Sequence, residues 1–218
     1  METDITRLQL IQLLVVVIIG AGVGQLLQQT APIGRNVGEN MAAQSVLEDR
    51  SSPSREVDKP TLTLVVFTDY QCTACKAAYP AMDAMVKKDG HVRIVYKDWP
   101  IFGRVSEQAA RIAIAADRQG IYSEVHARLL NERRRLDGQV LREAIEVSQG
   151  SWAQVQRDLR TYAADIDSQL DRNRQDAFKL GLEGTPAYLA GTILVTGGLS
   201  EPDFAKVFAR GRKRASNH

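Results

Sequence analysis

The hydrophobic and polar positions divide the chain into stretches of different character. From Leu8 to Thr30 no side chain is charged, and the centre runs Leu13-Leu14-Val15-Val16-Val17-Ile18-Ile19-Gly20-Ala21-Gly22-Val23-Gly24. An apolar stretch of that length suffices to cross a bilayer as a helix. Arg7 precedes it in company with Glu2 and Asp4, so the charge bias that would keep this end in the cytoplasm rests on one arginine. A cleaved signal peptide is the rival reading, but no Ala-x-Ala site follows and only Gly22-Val23-Gly24 offers small residues at a usable spacing. Residues 1–30 are therefore expected to be an uncleaved signal anchor. Residues 31–60 carry Pro32, Gly34, Gly38, Ser51-Ser52-Pro53-Ser54 and Pro60 among mixed charges and read as a linker, with a short helix at Met41 to Leu47.

The pattern then changes to that of a folded domain over residues 61–210. Thr61 to Phe67 is β-branched and apolar, the signature of a buried central strand. From Thr73 to Lys88 the apolar positions Ala77, Ala78, Ala81, Met82, Met85 and Val86 recur at helical spacing, with Pro80 expected to kink the helix. His91 to Tyr96 alternates as a second strand. A helical block of three to five helices follows at about residues 104–180, punctuated by Gly120, Gly138 and Gly150. Pro186 to Thr196 reads as a hairpin turning at Gly191-Thr192, and a last amphipathic helix begins near Glu201 with Phe204, Val207 and Phe208 inward. This order predicts an α/β fold: a mixed sheet with helices on its faces and a helical insertion.

Composition changes this picture little. The 218-residue chain, with 44% hydrophobic and 25% charged residues, is of ordinary globular make-up, and a formal net charge of +2 gives no reason to expect nucleic acid as a partner. Arg210, Arg212, Lys213 and Arg214 are the one local excess, and residues 211–218 read as a solvated basic tail. The cysteine count is more telling. There are two cysteines, both in Cys72-Thr73-Ala74-Cys75, where a structural disulfide framework would scatter more at wider spacings.

That motif lies where a strand meets a helix. Two intervening residues let the sulfurs meet in a small ring, and a helix starting at Cys72 brings unpaired N–H groups and the positive end of its dipole to the first sulfur. Such surroundings favour a thiolate, which makes Cys72 the attacking thiol and Cys75, one turn further in, the resolving one. Lys76 would add positive potential or be a solvated charge. Half of a zinc site is the first bland alternative, but it needs two more ligands and offers only the scattered His91, His126 and His218, or carboxylates. An inert disulfide is the second, though so short a loop constrains little of the unfolded chain. The other notable element is Gly184-Thr185-Pro186-Ala187 at the hairpin entry. A proline where a strand begins belongs at an edge or in a cis turn, which would leave the Thr185 backbone free to pair with an extended substrate peptide.

With these residues in view the sequence resembles the thioredoxin superfamily, and within it the DsbA-like extracytoplasmic disulfide oxidoreductases. The resemblance covers roughly Thr61 to Arg210 and rests on Phe67 to Cys75, Pro80, Tyr96-Lys97-Asp98-Trp99-Pro100-Ile101-Phe102-Gly103 and Gly184-Thr185-Pro186. Ser106 to Leu130, with Ala109-Ala110, Gly120 and His126, is similar to the helical domain inserted in that family. The resemblance implies a thioredoxin fold interrupted by helices, a catalytic Cys72, a resolving Cys75, and a cis-Pro186 shaping a substrate groove. It also implies a membrane redox partner that resets the pair. Two departures bear on the electron flow. Thr73-Ala74 stands where many relatives have proline or histidine, and Val66 stands near the position of thioredoxin's buried acid.

Lys97 and Asp98 would assist proton transfer if they faced the cysteines, or else form a solvated strand end. His126 is expected to be a packed histidine with one satisfied nitrogen. Trp99 and Trp152 read as packing residues. The expected function is disulfide exchange with cysteine-containing exported proteins from an inner-membrane anchor, with no metal or organic cofactor and the choice between oxidase and reductase or isomerase open. A tethered peptide-binding module or a copper chaperone using the same sulfurs is the alternative from another class.

Overall fold

The computed structural model describes residues 12–20 and 33–215, with the side chains of 214 and 215 left aside. The chain divides into two units, Met1–Ile33 and Gly34–His218. In the first, residues 12–20 form helix α1, its apolar side chains exposed. The rest of the expected membrane span, Leu8 to Thr30, lies outside the described residues. Among the described residues no helix is long and apolar enough to cross a membrane.

The second unit is built on a six-stranded sheet: β1 (Arg35–Asn36), β2 (Ser54–Arg55), β3 (Leu62–Thr68), β4 (Val92–Asp98), β5 (Ala187–Ala190) and β6 (Ile193–Thr196), in the order β1-β6-β5-β3-β4-β2. β3 and β4 are parallel and every other pair is antiparallel. The near-continuous apolar run of β3 suits a strand covered on both faces. Register sorts the faces. Val66 pairs with Tyr96 and Tyr188, whereas Phe67 pairs with Lys97 and Ala187. Because side chains alternate, Val66, Tyr96 and Tyr188 share one face and Phe67, Lys97 and Ala187 the other.

The first face is covered by α3 (Thr73–Asp89) and α9 (Glu201–Ala215). Phe204 is fully buried edge-on against Tyr188, with ring centroids 4.9 Å apart, which contributes about 2–3 kcal/mol by area alone. α9 passes so close to the sheet that a Cβ on Gly211 would stand 2.6 Å from the Ala190 carbonyl oxygen, and only glycine fits. The expected basic tail is corrected accordingly. Residues 211–215 continue the helix because this contact holds it down, and Arg212 donates to Thr61 Oγ1 and Asp89.

The second face packs Val65, Phe67, Val95 and Leu189 against Ala43 and Val46 of α2 (Met41–Leu47) and Ala177 of α8 (Ala163–Lys179). This overturns the linker reading for residues 34–60. The Gly, Pro and Ser residues there mark turns between two-residue edge strands, too short to show any periodicity, while Val37, Ala43 and Val46 enter the core. Buried Arg93 ties the segment down through Glu56 (2.7 Å) and the carbonyls of Leu47 and Asp49.

Between β4 and β5 the chain inserts α4 (Arg104–Asp117), α5 (Tyr122–Asn131), α6 (Gly138–Val147), α7 (Trp152–Thr161) and α8. Asp137 and Ser151 cap α6 and α7 by accepting from Val140 and Gln154 N–H. α5 packs on α3 and α4, which brings Tyr122 and His126 to the sheet face that α3 covers.

Candidate active site

β3 ends at Thr68, and the four residues Asp69 to Cys72 turn the chain into α3. Cys72 is the N-cap, in extended conformation (φ −67°, ψ 112°), and its sulfur accepts the Cys75 N–H at 3.1 Å. The first turn of α3 thus spends one of its unpaired donors on the sulfur. On the other side Cys72 Sγ lies 3.3 Å from the Thr185 carbonyl oxygen, in the turn where the Thr185–Pro186 bond is cis. Both thiols are free. Both sulfurs are buried, Cys72 being 3% exposed and Cys75 2%, with the Thr185–Pro186 turn covering the first.

The electrostatics separate the two sulfurs. A hydrogen bond from the Cys75 thiol pulls the Cys72 thiol down. Burial opposes this, and the Thr185 side chain and the N–H groups of Cys75 and Ala74 assist, to leave Cys72 at about 6. Cys75 is pushed strongly upward, first by holding the proton of that same bond and then by burial. The pair therefore shares one proton held on Cys75 while Cys72 carries the charge. Thr185, whose buried hydroxyl has no hydrogen-bond partner among the described residues, lowers both sulfurs. Thr73 and Ala74 are exposed, and Ala74 acts on Cys72 through its backbone N–H.

Lys97 is not part of this site. It lies on the opposite sheet face and is 1% exposed, between Asp49 (2.5 Å) and Asp176 (2.9 Å). Burial raises the Asp49 carboxyl, but the Lys97 and serine hydrogen bonds outweigh it and hold the group well below the usual carboxylate range. The expected tuning role for Lys97 is thus corrected by strand alternation, because its register partner Phe67 points to the α2 and α8 side. Asp98, one residue on, shares the Tyr96 face. It is fully buried, and burial pushes its carboxyl up to about 7 against the hydrogen bond from Tyr122 (2.9 Å) and the opposing influence of the Tyr70 hydroxyl. Tyr70 also lies 3.0 Å from His126 Nδ1. His126 is packed among tyrosine rings with Nε2 unpartnered, and burial lowers it to about 3, so it stays neutral near pH 7. Trp99 packs edge-on against Phe178.

The residue that sequence reading passes over is Asp69. It is 1% exposed, and its carboxylate accepts four hydrogen bonds: Oδ1 from Gln71 N (2.7 Å) and Ser106 Oγ (2.7 Å), Oδ2 from Ile101 N (2.7 Å) and Phe102 N (3.0 Å). Its own carbonyl receives the Cys72 N–H at 3.1 Å. Asp69 thereby fastens the cysteine turn to the loop after β4 and to the start of α4. The available signal was an aspartate two residues before Gln71, the spacing of an Asx turn. Its longer-range partners are at sequence separations that no local pattern reveals.

Comparison with known proteins agrees with this geometry. The family model for the DSBA-like thioredoxin domain matches residues 63–209. A thioredoxin-like oxidoreductase from Silicibacter pomeroyi DSS-3 is similar in structure, with a TM-score of 0.73 and 30% identity over 78% of this chain and 97% of its own. A periplasmic thioredoxin-like protein from Salmonella enterica serovar Typhimurium has a TM-score of 0.70 and 27% identity, covering 80% and 97%. The thiol-disulfide exchange protein alpha-DsbA2 from Wolbachia pipientis shares the fold at 20% identity, with a TM-score of 0.72 over 81% and 99%. No curated protein matches the chain. The match over most of the folded unit and the strand-Cys-x-x-Cys-helix junction lead to one conclusion: the chain belongs to the DsbA-like thioredoxin-domain family of thiol:disulfide oxidoreductases.

Proposed function

We propose that this protein donates disulfides to exported proteins outside the cytoplasm, through a mixed disulfide at Cys72. The observation that carries the direction is the stabilised Cys72 thiolate, because whatever stabilises the reduced pair makes its disulfide easier to give away. A substrate thiolate attacks Cys72 in the oxidised pair, and Cys75 departs and takes up a proton. A second substrate thiol then attacks the substrate's own sulfur, and Cys72 departs as the thiolate that its surroundings favour. The Thr185 backbone beside cis-Pro186 holds the substrate segment extended at the sulfur. A membrane redox partner then restores the disulfide. Support for the location comes from the uncharged stretch Leu8 to Thr30, read as an anchor, and from the periplasmic Salmonella relative.

The magnitude is modest. At pH 7 a thiol titrating at about 6 rather than near 9 stabilises the reduced form by about 1.4 kcal/mol, or about 30 mV for two electrons. Equilibration in glutathione buffers should place the pair above the thioredoxin value of about −270 mV and below about −120 mV. A potential at or below the thioredoxin value would reverse the proposed direction and make the protein a reductant.

The Thr185 contribution is separable. Iodoacetamide alkylation of Cys72 should follow a midpoint near pH 6, the thiolate fraction rising as pH rises through it. Thr185→Val should move that midpoint up, because it removes the side-chain hydroxyl that favours the Cys72 thiolate, while Thr185→Ser leaves it in place. An unchanged midpoint in the valine variant would remove the hydroxyl from the account.

A further inference from the structure

Residues 132–136, Glu132-Arg133-Arg134-Arg135-Leu136, join α5 to α6 and stand beside the first turns of α3. Between loop and helix runs a groove of about 690 Å³, with Gln71 and Thr73 at one end and Lys76, Pro80 and the three arginines along it. Gln71 and Thr73 flank Cys72 in the chain, so the groove opens beside the reactive sulfur. A second concavity, lined by Thr185 and Pro186, lies on the side where Cys72 Sγ meets the Thr185 carbonyl. A polypeptide engaged at Cys72 thus has a place for each of its flanks.

The groove's charge is one-sided. Its lining holds four cations, Lys76, Arg133, Arg134 and Arg135, against the single carboxylate of Glu132, on a chain whose formal net charge is only +2. Two of the four have structural duties. Lys76 Nζ donates to the Glu132 carbonyl at 2.8 Å and pins the loop to the active-site helix, while Arg134 is paired with Glu132 (2.7 Å) and Glu143 (2.8 Å). The side chains of Arg133 and Arg135 are exposed and have no hydrogen bond or ion pair among the described residues. Two guanidinium groups are therefore held over the groove on an anchored loop, with their donor forks unspent. Their geometry matches carboxylates two oxygens at a time.

We propose that this groove binds an acidic segment flanking the substrate cysteine, so that Arg133 and Arg135 select substrates carrying aspartate or glutamate next to the reacting sulfur. The inference rests on the disulfide-exchange reading of Cys72 and names its substrate class.

The test uses the full-length reduced protein and three matched peptides, each with one cysteine joined by a disulfide to a chromogenic aryl thiol. The cysteine is flanked by glutamates, serines or lysines. Cys72 thiolate attacks the peptide sulfur, forming the mixed disulfide and expelling aryl thiolate, whose absorbance is read. Cys75 then attacks Cys72 and releases the peptide thiol, so the protein pair loses two electrons and the peptide–aryl disulfide gains them. At low salt the glutamate peptide should react about tenfold faster than the serine peptide and the lysine peptide more slowly than either, with the spread shrinking near 1 M salt. In R133E/R135E the glutamate-to-serine rate ratio should fall to about one or below. In R157E/R174E, which changes net charge equally at exposed sites away from the groove, the ratio should stay high. Equal rates for the three peptides, a ratio that survives R133E/R135E, or an equal loss in both double variants would overturn the proposal. Failure of even the serine peptide to release aryl thiolate would instead strike the exchange reading itself.

Discussion

Cys72→Ser is expected to lose disulfide exchange by at least about a thousandfold, because a serine hydroxyl is not ionised near pH 7 and cannot form a mixed disulfide. Cys75→Ser is expected to behave differently. It keeps the attacking sulfur but lacks the resolving thiol, so mixed disulfides with substrate should accumulate and be visible on non-reducing gels. Its serine hydroxyl can still donate to the Cys72 sulfur, so it is Cys75→Ala, which removes the donor that is the largest cause of the low Cys72 value, whose alkylation midpoint should rise above about 6. Thermal melts of both variants distinguish lost chemistry from lost structure. Equal trapping by the two variants, or trapping through Cys75 in Cys72→Ser, would reverse the assigned roles. The burial of Cys72 gives this test its weight: a sulfur 3% exposed beside the Thr185–Pro186 turn reacts only with a partner that reaches into that turn.

The second large effect is expected at Asp69, away from the sulfurs. Asp69→Ala leaves three backbone N–H groups and the Ser106 hydroxyl without their acceptor, the Ser106 bond being buried and the other three partly buried. At about 1–3 kcal/mol for a buried donor left unmade, and less for the three that water reaches in part, the loss is a few kcal/mol against the roughly 5–15 kcal/mol that holds a domain folded. Asp69→Asn should cost less, since one carbonyl oxygen remains, but its amide N–H groups would then face donors. Denaturant unfolding midpoints measure the ranking: wild type, then Asn, then Ala. Alkylation of the Ala variant should also lose its sharp midpoint near pH 6, because the turn that presents Cys72 to the α3 N-terminus is no longer fixed. An Ala variant as stable as wild type would show that the four hydrogen bonds are replaced by water.

What was legible in the sequence follows from the range of the interaction that writes it. β3, α3, β4, the hairpin and α9 were legible because each buries one face and so repeats its apolar residues at the period of its own geometry. The Cys72–Cys75 pair was legible because helix capping acts over three residues, and the proline before the hairpin because it denies a strand its donor. The short segments at 35–36 and 54–55 were not, since two residues carry no period and their apolar neighbours Val37 and Val46 find the core only once β6 and β4 exist to pair with.

The sequence by itself determined the fold class and the placing of the Cys72–Cys75 pair where a strand meets a helix, both of which rest on local capping and periodic burial. Only the tertiary structure decided which charges belong to the site. Lys97 and Asp98 are adjacent in the chain, yet strand alternation sends the lysine to Asp49 and Asp176 on the far face and leaves the carboxylate under Tyr122 on the near one. Asp69 joins loops more than thirty residues away, and the arginines of the 132–136 loop line one groove with Gln71 and Thr73 because α5 packs on α3. Those are contacts between distant parts of the chain, and a side chain's chemical role there is set by what the fold brings to it.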